Sequence, residues 1–171
     1  MTYAQGRVIN DADSHIMELP DFLKAYADPA VRDDVPKLPV PTVGALAVLD
    51  PESAAAGRHS PAKVAELVGL GDRLIAGPKG HAALGAFNAE ERSLALDLFG
   101  FQAQLVFPSF SAGPAFDPRR PAPARYAAAH AHNRAMADFC GRDRRLYGSA
   151  CCRSTSPSSP SPSWTTSSRS A

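Results

Sequence analysis

Asn88 to Pro108 constrains the fold most tightly: a helical stripe, a glycine and a short, mainly apolar run follow one another in that order. Asn88 stands three residues before Glu91, the spacing of a reciprocal helix N-cap, and Leu94, Ala95 and Leu98 recur on one stripe of the helix it opens. Gly100 permits a left-handed stop. Ala103 to Phe107 is then a compact apolar strand closed by Pro108. Helix, glycine and buried strand form the second half of an α/β unit, so the pattern predicts a parallel sheet with helices packed on it. A second clear helix is predicted over 126–140, with Ala128, Ala131, Ala135 and Phe139 on its buried side, and 145–148 reads as the entrance to a third strand.

The first strand comes much earlier. Arg7 to Glu18 reads Arg-Val-Ile-Asn-Asp-Ala-Asp-Ser-His-Ile-Met-Glu, an apolar start running straight into carboxylates and a histidine. Side chains alternate between the faces of a strand, so strict alternation over 8–14 puts Ile9, Asp11, Asp13 and His15 on one side. Asp13 and His15 then stand together at the strand's end. An oxygen and a nitrogen donor on one rigid element can share a divalent cation of the zinc or manganese kind, although two ligands are too few for a tight site. The plainer alternative is a polar strand end in which Asp13 caps a turn. For Asp11, one step deeper, the corresponding alternative is a carboxylate bonded to backbone or to a neighbouring strand.

Between these elements the chain is punctuated. Residues 20–27 suit one short helix, with Phe22, Leu23 and Tyr26 at helical spacing. Residues 28–86 are broken by prolines and glycines into a long loop, interrupted by a helix over 61–70 that Ser60 can cap. His59 and His81 fall in this loop and read as solvated. His130 and His132 lie about 200° apart on a helix, which suits packing or hydrogen bonding rather than joint ligation.

Composition narrows the function classes. A net charge of +1 over 171 residues gives no field to attract nucleic acid, and the basic cluster Arg142, Arg144, Arg145 is interrupted by Asp143 and reads as a solvated loop. No apolar run reaches the length of a bilayer span, and the N-terminus lacks a secretory pattern, so a cytoplasmic protein is expected. Cys140, Cys151 and Cys152 make an odd count that argues against a disulfide framework.

After Gly148 the composition changes. Residues 153–171 hold twelve serines or threonines and three prolines, with no Leu, Val, Ile, Asp or Glu. A segment of this kind buries too little surface to offset its ordering entropy, so 149–171 reads as a disordered Ser/Thr/Pro-rich tail beside a domain over 1–148. A shifted reading frame is the sharper alternative: with G or C in third codon positions and the remaining ambiguous codons chosen freely, the neighbouring frame can be read as an apolar strand ending in Pro-Leu-Asp and then an amphipathic helix.

Taken together, 11–21, Glu90-Glu-Arg, the stretch from Leu96 to Phe110, and His132-Asn-Arg-Ala-Met-Ala-Asp-Phe-Cys resemble the opening third of the amidohydrolase-related family, over residues 7 to about 148. That family includes metal-dependent hydrolases and non-oxidative decarboxylases of the aminocarboxymuconate-semialdehyde type. The resemblance implies an incomplete (β/α)₈ barrel: the first two to three strands with their helices, and a long loop after strand one. It implies that Asp13 and His15 hold zinc or manganese and that Glu18, in a His-x-x-Glu pattern, orients a ligand or lines the pocket. Ser109 and Phe110, at the end of the second strand, would line a cavity for a small-molecule substrate. Later ligands of the family have no counterpart here, so the chain alone is expected to be inactive and to self-associate through open strand edges. Asp-x-His, in place of the His-x-His of many amidohydrolases, resembles the decarboxylase-like branch and leaves hydrolysis or decarboxylation open. From a different class comes a non-enzymatic interaction protein with a small α/β domain and a Ser/Pro-rich tail.

Overall fold

A computed structural model describes residues 2–39 and 49–152 of the chain. Three parallel strands form one sheet in the order β1 (Asn10–Ile16), β2 (Ala103–Pro108), β3 (Leu146–Gly148). Between β1 and β2 run α1 (Phe22–Tyr26), α2 (Pro51–Ala56), α3 (Pro61–Val68) and α4 (Ala89–Phe99). Between β2 and β3 run α5 (Gly113–Phe116) and α6 (Ala122–Cys140). Parallel neighbours cannot be joined by a hairpin, and the helical crossovers predicted from the order of elements supply the connection.

Helices cover one face of the sheet. Ile16, Val106 and Leu146, one from each strand, pack with Leu96 of α4 and with Met136, Phe139 and Cys140 of α6. Burying each of the aliphatic side chains contributes about 1.5–3 kcal/mol. On the other face Leu105 and Tyr147 remain exposed, at 39% and 58%. A second core joins α1 to α6, where Leu23 and Ala27 meet Ala128 and Ala131. Small residues along α6 let the helices approach closely. A third core lies between α3, the turn Gly71–Ala76 and α4, around Leu67, Leu74 and Ala95.

Helix ends follow local chemistry. Ser60 accepts from the Lys63 amide at 3.2 Å to start α3, and Gly100, at φ +74°, stops α4. Asn88 accepts from the Glu91 amide at 3.0 Å, but the reciprocal half of the expected cap is missing. The Glu91 carboxylate turns instead to the backbone amide and ring of His59.

Packing continues past the compositional break at Gly148. Ser149 donates to the Val106 carbonyl at 2.9 Å, extending the ladder, and Cys151 is buried in the core between α1 and α6. Asn133 of α6 brackets that residue, donating to its carbonyl at 3.2 Å and accepting from its amide at 2.8 Å. The rest of the expected tail, 153–171, lies outside the described residues. Arg145 is likewise more than a solvated charge: it bonds Asp143 and reaches Asp97 at 2.7 Å. No helix among the described residues is long and apolar enough to cross a membrane.

Candidate functional site

The site forms where β1 departs from simple alternation. Asp11 pairs in register with Gln104, but Ser14 pairs with Val106, so β1 spends one more residue than β2 between these points. Such a bulge reverses the facing of everything beyond it. Ile9 and Asp11 precede the bulge and lie on the helix-covered side; Ser14 and Ile16 follow it and lie on that side too. Asp13 and His15 are thereby left on the open face, Asp13 with its side chain 92% exposed and His15 with 46%.

Oδ1 of Asp13 lies 3.5 Å from Nε2 of His15. That separation is long for a hydrogen bond. It is close to the edge of a tetrahedral zinc site, where bonds of about 2.0–2.2 Å set neighbouring donors roughly 3.3–3.5 Å apart. The His15 ring also faces the Phe107 ring of β2, with centroids 5.9 Å apart. Among the described residues no group of three or more His, Cys, Asp or Glu side chains is arranged to hold a metal. Asp13 and His15 thus stand as two donors that no third such side chain joins among the described residues.

Asp11 does not share the face of Asp13 and His15, contrary to the strict alternation expected of the strand. Its Oδ1 accepts from the Asp13 amide at 3.0 Å, and its Oδ2 accepts from Nε2 of Gln104 at 3.0 Å. The carboxylate thus fixes the bulge and ties β1 to β2.

Beneath the bulge sits Arg92 of α4, which belongs to the Glu90-Glu-Arg stretch but has no role assigned to it from the sequence. Its guanidinium donates to the His15 carbonyl at 2.7 Å, to Oγ of Ser14 at 2.5 Å, to Oε1 of Gln104 at 3.4 Å and to the Gly85 carbonyl at 2.6 Å. Gln104 consequently bridges Arg92 and Asp11, accepting from the cation and donating to the anion. Burial brings Arg92 down to about 10, opposed by the nearby Asp11 charge. Gly85 is required at this contact. Its φ of +74° favours glycine, and a Cβ there would fall on the backbone of Arg92.

Glu18 is fully buried and works as a support. Its two oxygens accept from the backbone amides of Ser109, Phe110 and Ser111, at 2.9 to 3.3 Å, and from the Ser111 hydroxyl at 2.6 Å. A carboxylate cradled by successive amides is a strong local staple. It fixes the loop leaving β2. Oγ of Ser111 also lies 2.7 Å from Nδ1 of His132, whose Nε2 is 3.2 Å from the Ser149 carbonyl. Glu18, Ser111, His132 and Ser149 therefore join the residues that follow all three strands. Burial holds His132 below the ordinary imidazole range, with the Ser149 carbonyl and the Glu18 charge working the other way. The packing or hydrogen-bonding role expected of His132 fits this buried, bonded position.

Asp13, His15, Ser109 and Phe110 line one cleft of about 590 Å³, together with Asp11 and Arg92. Leu74, Ile75, Phe99 and Phe101 give it an apolar wall. Glu18 does not line it.

His59 and His81 are corrections to the solvated reading of the long loop: they are 5% and 1% exposed. Both rings pack near Phe87, and His59 is bonded to Glu91. A histidine among prolines and glycines carries no local pattern that announces a partner 32 residues away. No protein-family model matches the chain, and no curated protein matches it significantly.

Proposed function

We propose that the described residues are the opening β/α units of a metal-dependent barrel of the amidohydrolase-related kind, acting on a small carbonyl- or carboxyl-bearing molecule by hydrolysis or decarboxylation. Asp13 and His15 would hold the cation, zinc or manganese. When bound, that ion supplies Lewis acidity toward a carbonyl or carboxylate oxygen. Arg92 keeps the His15 backbone in place, Glu18 holds the loop that carries Ser109 and Phe110, and those two residues border the substrate end of the cleft.

One observation carries this reading: an oxygen and a nitrogen donor 3.5 Å apart stand toward the C-terminal end of a parallel strand, on the face that no helix covers among the described residues. In barrels of parallel strands that end is where chemistry is placed. The sequential strand order β1-β2-β3 is what the first part of such a barrel requires. With two donors the chain alone is inactive in this reading, and its exposed Leu105 and Tyr147 favour self-association. Cytoplasmic residence belongs to the same reading and agrees with three unpaired cysteines.

Manganese broadening of amide signals in the full chain tests the assignment. Loss of signal centred on Asp13, His15 and Phe107 is expected. Broadening confined to exposed carboxylates elsewhere would contradict it.

A further inference from the structure

The segment that walls the cleft is held by a second histidine, away from Asp13 and His15. His59, two residues ahead of α3, directs its two ring nitrogens at two acceptors: Nδ1 lies 2.6 Å from Oε2 of Glu91, and Nε2 lies 2.8 Å from the His81 carbonyl. A carbonyl oxygen has no proton to give. A neutral imidazole carries one N–H and bonds only one of two such acceptors as a donor, whereas an imidazolium bonds both. The 2.6 Å contact has the length of a charge-assisted bond.

These bonds have a topological consequence. The His81 contact closes residues 60–80 into a loop, and Glu91 fastens that loop to α4 by accepting from the His59 ring, from the His59 amide at 2.8 Å and from the Gly85 amide at 3.4 Å. Leu74, Ile75, Pro78 and Lys79, all within the closed loop, line the cleft.

We propose that His59 is a proton-dependent latch: its imidazolium strengthens the attachment of the 59–86 segment to α4, and loss of the proton loosens that wall of the cleft. The latch operates independently of any metal at Asp13 and His15. The charged and titratable groups facing His59 are Glu91 from α4, Lys63 from α3, Asp50 ahead of α2 and His81 from the turn Gly80–Ala82. The bond to Glu91 raises His59 above the ordinary imidazole range, with burial and Lys63 opposing. For Glu91 burial works upward, but the bonds from His59 outweigh it and hold the carboxyl below the ordinary range.

Linkage sets the sign. The closed segment binds one proton more than the open one between the ordinary imidazole value, about 6.5, and the higher value of latched His59. Within that window the closing equilibrium weakens about tenfold per pH unit. Hydrogen exchange of the full chain, corrected for intrinsic rates and combined with an NMR titration of the His59 ring, reads this directly. Protection of amides in 59–86 is expected to fall as His59 loses its proton, above the ordinary imidazole range, while amides of β1 and β2 keep theirs. His59→Gln is expected to show the lower protection with no such pH dependence; should that variant fail to fold, the wild-type pH series carries the test by itself. A His59 ring that titrates at or below the ordinary range would overturn the latch, as would 59–86 protection that is constant across its titration.

Discussion

The guanidinium of Arg92 donates to the backbone carbonyl of His15 at 2.7 Å, so a cation buried under the sheet fixes the strand residue whose ring faces out of it. His15 has its position set from below, and its side chain need not be packed to be ordered. Arg92→Met removes the partner of four buried or half-buried acceptors at once. A loss of about 3 kcal/mol or more is expected in urea unfolding. A change below about 0.5 kcal/mol, the scale of ordinary surface substitutions, would show that the cluster contributes nothing.

Gly85→Ala tests the same contact from the other side. The substitution adds a Cβ at φ +74° onto Cα, N and Cβ of Arg92, none of which is the end of a flexible side chain. An unfolding penalty of roughly 2–4 kcal/mol is expected from the combined strain and displacement. Gly57→Ala is the control, since its φ is also positive but a Cβ there meets open space; it should cost about 1 kcal/mol.

Glu18→Ala leaves the amides of Ser109, Phe110 and Ser111 without their common acceptor. Bonds to a charged group contribute about 1.5–3 kcal/mol each, and they are not additive, so a total loss near 3–5 kcal/mol is expected. Exchange of the Phe110 and Ser111 amides should rise more than that of the α4 interior. Uniform change across the chain would place the effect elsewhere.

His132 gives a pH dependence of opposite sign to the His59 latch. Burial depresses its folded value, so its neutral form is favoured in the native chain. Its contribution is fully present above the ordinary imidazole value of about 6.5 and is lost as pH falls through the lower folded value. The stability advantage of wild type over His132→Gln should therefore be largest above that value and shrink toward acid, measured by urea midpoints across the range. An advantage that grows toward acid would contradict the assignment.

Much of the scaffold was legible because it rests on local chemistry. Asn88 and Gly100 mark the ends of α4, Ser60 marks the start of α3, and Pro108 closes β2. The pairing of Asp13 with His15 was legible too, since the irregularity between Asp11 and Ser14 leaves the two on one face at their spacing of two. Asp11 was misplaced because one inserted residue between it and Ser14 reverses its face, and no glycine or proline in Asp-Ala-Asp-Ser advertises the insertion. The roles of Arg92, Glu91 and His59 escaped for a different reason. Their partners are distant in the chain, at Ser14 and His15 for Arg92 and across 32 residues for His59 and Glu91, and a charged residue on an amphipathic helix reads as surface until its burial is known.

Zinc titration calorimetry on the full chain, compared with Asp13→Ala and His15→Ala, probes the donor pair most directly. Both side chains are exposed, so neither substitution is expected to disturb the fold. Weak binding in the wild type, reduced at least about tenfold by either substitution alone, is the expected result, since each removes half of a two-donor site. Zinc affinity that is the same in all three proteins would show that Asp13 and His15 do not hold a cation together.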